Sequence, residues 1–217
     1  MKKWIFSISL LLSSFYTFGS EHFTQAVSPV FFHANEAQYV SPSTIKNDYL
    51  KVRPMSVEGF DNESLSKMHK AFEVLEKVVN SEEFKNRVIN FKNTQNERSF
   101  ASNNGLSNEQ IFDSFMEGRE TLQPNTPGEM NFFLSLYYKR FSKVIGWTEG
   151  SINVININWK FFKNFKPNEV AGNLAHEWTH KIGFDHESAA EHDSAPYAIG
   201  YIVREMGERY LQGKELY

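Results

Sequence analysis

The stretch His176-Glu177-Trp178-Thr179-His180-Lys181-Ile182-Gly183-Phe184-Asp185-His186 constrains this chain more than any other. Two histidines four residues apart lie on one face of a helix, one turn above the other, and can share a metal ion. Glu177, directly after the first histidine, can reach a water on that metal without being a ligand itself. Gly183 stands where such a helix would end, because glycine alone takes a left-handed backbone at little cost. A helix ended there lets the chain reverse, so that His186 returns as a third ligand. Three protein ligands leave the fourth position of a tetrahedral zinc open, which is the catalytic arrangement rather than the structural one.

The spacing resembles, without a mismatch, the His-Glu-x-x-His-x-x-Gly-x-x-His pattern of the metzincin zinc peptidases. That resemblance implies His176, His180 and His186 as ligands of one catalytic Zn2+ and Glu177 as the general base and acid. It also implies an α+β fold: a small metzincin-like zincin domain with a mixed twisted sheet, an antiparallel edge strand, an active-site helix and a C-terminal helix. Metzincins pair extended substrate with an edge strand just before that helix, and Ile152 to Asn156 is the candidate here. The chain departs from the family after His186, where no methionine stands in position for a turn under the zinc. Ser194-Ala195-Pro196-Tyr197-Ala198 offers the proline and small residues of a turn in its place. Tyr197 would then donate a hydrogen bond to a developing oxyanion, as a tyrosine near that turn does in some metzincins, with Tyr201 the second candidate. Some related peptidases take their third ligand from a downstream glutamate, which makes Glu187 and Glu191 the alternatives; Gly183 favours His186.

The expected function is therefore zinc-dependent endopeptidase action on protein or peptide substrate. Two other functions suit the same residues: a zinc-containing binding or structural protein of this fold without turnover, and a zinc amidohydrolase acting on cell-wall peptide.

Residues 1–19 are expected to be a secretory signal: Lys2 and Lys3 lead, Trp4 to Leu12 is mostly apolar, and Thr17-Phe18-Gly19 supplies small residues for cleavage. The protein would then be exported, periplasmic or secreted, with no stable membrane anchor after cleavage. The chain has no cysteine, so neither a disulfide framework nor a cysteine latch on zinc is available. A formal charge of −3 implies no basic surface for nucleic acid. Residues 20–60, broken by Pro29, Pro42 and Pro54, form a pro-segment or N-terminal extension, and residues 61–217 the metallopeptidase domain. His22 and His33, in the extension, are surface residues on this view.

Within the domain, Leu65, Met68, Phe72, Leu75 and Val79 predict a helix capped by Asp61 or Asn62. Val88-Ile89-Asn90-Phe91 predicts a short strand. Ser107-Asn108-Glu109-Gln110 is a capping-box signature for a helix that Gly118 closes. Alternation of Phe132, Leu134, Leu136 and Tyr138 favours a strand over a helix. Val144 to Ile157 predicts a hairpin turning at Glu149-Gly150. Asn168 is expected to cap the metal helix, with Val170, Leu174, Ala175 and Ile182 facing the core. Ile199–Leu211 predicts a last helix, with Met206 in the core.

Overall fold

The computed structural model describes residues 49–121, 126–149, 152–187 and 191–217. The expected signal, most of the extension with His22 and His33, and the Gly150 turn lie outside them. The elements in chain order are β1 (Lys51–Glu58), α1 (Asn62–Val79), α2 (Glu82–Ile89), α3 (Asn108–Glu117), β2 (Glu129–Tyr137), β3 (Gly146–Glu149), β4 (Ile152–Asn158), α4 (Trp159–Phe162), α5 (Pro167–Lys181) and α6 (Ala195–Leu211). They form a mixed α/β fold around one four-stranded sheet of order β1-β2-β4-β3. β1, β2 and β4 run parallel, and β3 pairs antiparallel with β4 at one edge.

Alternation in β2 decides which face packs inward. Met130, Phe132 and Leu134 are buried, and Phe132 stacks on Phe72 of α1 at 5.8 Å and meets Trp178 of α5 edge-on at 5.9 Å. Burying such aromatic pairs against two helices is what anchors α5 to the sheet. The outer edge of β1 is closed by α1: Val52 N–H donates to Glu76 Oε2 at 2.8 Å and Leu50 N–H to Asn80 Oδ1 at 2.7 Å. Pro54, which cannot donate to a ladder, sits on this edge beside a shift in register.

The helices start where local chemistry directs. Asp61 accepts from Ser64 N–H at 2.8 Å to cap α1, and Ser107 forms the capping box of α3 with Gln110. Gly118 takes the left-handed backbone that closes α3. The strand expected from the alternation of Phe132 to Tyr138 is present as β2, and the antiparallel hairpin after it as β3 and β4.

Four local expectations give way. Val88–Phe91 is no strand: Ser81 caps α2, and Phe84 and Val88, four residues apart, bury one helical face. Lys51–Glu58, grouped by sequence with the extension, is a strand of the sheet, because β2 offers it a parallel partner. Ile152–Asn156 lies inside the sheet between β2 and β3, so β3 is the edge strand. Asn168 does not cap α5. The cap is Lys166, whose N–H donates to Glu169 Oε2 at 3.0 Å, and Asn168 instead donates to the Arg204 carbonyl at 3.1 Å.

α5 and α6 cross at two glycines. A Cβ on Gly200 would lie 2.9 Å from the Gly172 carbonyl oxygen, and one on Gly172 would lie 2.7 Å from that of Gly200. Only bare backbone permits so close an approach, and it sets the start of α6 against the middle of α5.

Candidate metal centre

α5 carries His176, Glu177 and His180, and its end is shaped as the glycine requires. Gly183 has φ +99°, and Phe184 N–H donates back to the Thr179 carbonyl at 3.1 Å. Phe184 is buried there and its carbonyl meets His180 Nδ1 at 2.9 Å. The reversed chain then delivers His186, so that ligand atoms of His176, His180 and His186 lie within 4.8 Å of one another. No other group of three or more such side chains occurs among the described residues.

The three imidazoles are placed to hold a metal ion. His180 Nδ1 is engaged by the Phe184 carbonyl and His176 has a backbone hydrogen bond to Pro196, which leaves their Nε2 atoms facing each other at 3.2 Å. A ring nitrogen that donates on one side presents a lone pair on the other. Two lone pairs face to face repel unless a cation lies between them. His186 Nδ1 is buried without a hydrogen-bond partner. Burial, reinforced by the two neighbouring histidines, pushes His176 down to about 3, so its imidazole stays neutral and able to ligate. His180 is lowered for the same leading reason, burial.

Glu177 is buried beside this cluster and faces β3. Its Oε2 accepts from Thr148 Oγ1 at 3.0 Å, and Asn173 also hydrogen-bonds it. Gly146 makes room, since a Cβ there would sit 3.1 Å from Glu177 Oε1. Burial raises the Glu177 carboxyl to about 7 against the opposing pull of those two hydrogen bonds. Asn173 was within reach of sequence reasoning, being four residues before Glu177 on the same helix. Thr148 and Gly146 carried no such signal, because only sheet pairing brings β3 over α5.

Tyr197 arrives from the first turn of α6, with its ring 4.6 Å from that of His176 and 4.7 Å from that of His186. The segment Ser194–Ala198 is thus a helix start, not a free-standing turn, and it lies against the histidines because of the Gly172–Gly200 crossing. Tyr201, one turn further on, is half exposed and approaches His192 at 3.4 Å. Met206 is buried in the core, and Glu191 is engaged by Ser102 and by the Glu187 N–H, outside the histidine cluster. The cluster opens into a cleft walled by Ile145, Trp147, Phe165 and Tyr197. No family model, no curated protein and no solved structure matches the chain.

Proposed function

We propose that the protein is a zinc-dependent endopeptidase in which His176, His180 and His186 hold one Zn2+ and Glu177 is the general base and acid. The observation that carries this is the pair of facing Nε2 atoms with a third imidazole alongside and a buried carboxyl next to them. A donor set of three neutral imidazoles suits zinc, and the spacing is that of the metzincin motif. Bound zinc would supply a Lewis acid that acidifies water and polarises a peptide carbonyl.

The protein's own groups then do the following. Glu177, oriented by Thr148 and Asn173, takes the proton of the attacking water and passes it to the departing amine nitrogen. Burial, which raises this carboxyl, favours its accepting that proton. Tyr197 donates its hydroxyl proton in a hydrogen bond to the oxyanion. β3, not β4, has a free edge beside the cleft and can pair with an extended peptide.

The experiment is zinc analysis with a mixed-peptide cleavage assay on the native protein, Glu177→Gln and His186→Ala. Glu177→Gln should keep about one zinc and lose cleavage by about 10²–10⁴-fold, whereas His186→Ala should lose zinc. Undiminished cleavage by Glu177→Gln sinks the mechanism. Stoichiometric zinc with no cleavage by the native protein would make it a zinc-binding protein instead.

A further inference from the structure

The charge of this chain is unevenly spread. Between Tyr137 and Lys166 lie Lys139, Arg140, Lys143, Lys160, Lys163 and Lys166 against the single acid Glu149, although the whole chain is formally −3. All six cations but Lys160 are exposed, and of these Lys166 pairs with Glu208 at 3.5 Å. The same region holds six of the eleven large apolar or aromatic side chains exposed among the described residues: Tyr138, Phe141, Val144, Ile145, Trp147 and Trp159. Phe141 projects furthest, at 89% exposure.

Two separate stretches of chain form this one surface. Asn158, fully buried, donates to the carbonyls of Lys139 at 3.2 Å and Val144 at 3.3 Å, and its backbone N–H donates to Ile145 at 2.8 Å. Lys160 Nζ donates to the Ser142 carbonyl at 2.9 Å, and Tyr138 meets Trp159 edge-on at 5.9 Å. The loop 138–145 is therefore fastened against the start of α4 with its apolar side chains outward. Arg140 lies 5.4 Å from the Phe141 ring and Lys163 4.8 Å from that of Trp159. Rings and aliphatic groups outermost, with cations beside Phe141 and Trp159, form a surface that is apolar at its tip and positive around it.

We propose that this surface docks the protein on a bilayer rich in anionic phospholipid. Lysines and arginines near such a leaflet are drawn to its negative potential, while tryptophan and tyrosine settle at headgroup level and Phe141 reaches the acyl boundary. Val144, Ile145 and Phe141 gain from hydrocarbon, whereas nucleic acid would reward flat rings for stacking and leave the aliphatic pair idle. A second copy meeting the same patch would set like charges against each other. No helix among the described residues is long and apolar enough to cross a membrane, so this contact is peripheral. Lys143, Val144, Ile145 and Trp147 also line the cleft that holds Glu177 and the three histidines. Docking therefore sets the cleft mouth at the bilayer surface.

The test is vesicle co-sedimentation of the full chain, with phosphatidylcholine alone and with about one third phosphatidylglycerol added. The apolar N-terminal residues contribute alike in every variant, so differences between variants are the readout. Native protein should bind the anionic vesicles preferentially. Arg140→Glu with Lys163→Glu should lower that partitioning about twentyfold or more, and Phe141→Ser about tenfold. All three positions are exposed and none lines the cleft that holds the histidines, and unchanged thermal melting certifies the fold of each variant. Equal binding to neutral and anionic vesicles, or undiminished binding by the charge-reversed variant, overturns the proposal. So does a dimer in sedimentation equilibrium that Phe141→Ser dissolves, which would make the patch a self-association surface. Tighter binding to a single-stranded oligonucleotide than to anionic vesicles, lost in the same variants, overturns it in favour of nucleic acid.

Discussion

Two polar clusters flank the end of α5, beginning on adjacent residues, and they are completed in opposite ways. His180 belongs to one and Lys181 to the other. Lys181 is buried, yet its Nζ reaches Glu120 Oε2 at 3.1 Å and the Asn131 carbonyl at 2.7 Å, and it lies 5.3 Å from the Trp178 ring. Glu120 in turn has a hydrogen bond to Asn153. Burial drives the Glu120 carboxyl up and the Lys181 amine down, and in each case the partner's charge pulls back towards the ionised form. That cluster is charge-paired by its own members. The histidine cluster is not, since two of its nitrogens face each other and a third has no partner. A buried polar group completed from within the fold is structural, and one left with converging lone pairs is arranged for a ligand from outside.

Three experiments break or sharpen this contrast. The largest effect belongs to the closed cluster. Lys181→Met strands the Glu120 carboxyl, and urea unfolding should show a loss of about 3–5 kcal/mol, most of it recovered when Glu120→Leu is added. A loss under about 1 kcal/mol would mean that the pair is not a completed unit. Next comes the open cluster. Zinc at a hundred times its dissociation constant should raise native stability by about 2.7 kcal/mol and leave His186→Ala unmoved. An equal rise in both proteins would show the ion bound elsewhere. The smallest effect concerns Glu177, which borders the open cluster but is held as the closed one is. Thr148→Val removes one of its hydrogen bonds while keeping shape, and should cost about tenfold in kcat with little change in KM. Thr148→Ser should restore it, and failure to do so would assign Thr148 to packing alone.

Much of this was legible in residues taken in order. The motif announces itself because its histidines sit on one helix and one turn, so spacing along the chain is spacing in space. Asp61, Ser107 and Gly118 could be placed for the same reason, since caps act within a few residues. Val88–Phe91 misled because a short, mostly apolar stretch suits a strand or a helix end equally, and the Ser81 cap lies seven residues upstream of Val88. The sequence of a hairpin tells which strands pair but not which of them meets the rest of the sheet, and Ile152–Asn156 was misplaced at the edge on that account. Net charge concealed the basic surface, because a sum carries no position.

By itself the sequence determined the three histidines, the adjacent glutamate, the glycine that ends their helix and the caps at Asp61, Ser107 and Gly118, all interactions that reach a few residues. Only the tertiary structure decided that β3 lies over Glu177, that Tyr197 meets His176, that Glu120 completes Lys181, and that two basic aromatic stretches make one surface. Each of these joins residues distant along the chain through sheet register or helix crossing, and such contacts follow from how whole faces bury against one another. The two glycines at the crossing of α5 and α6 show the reason in small. Each is an unremarked residue in its own helix, and only their meeting sets the distance between the helices and with it the site.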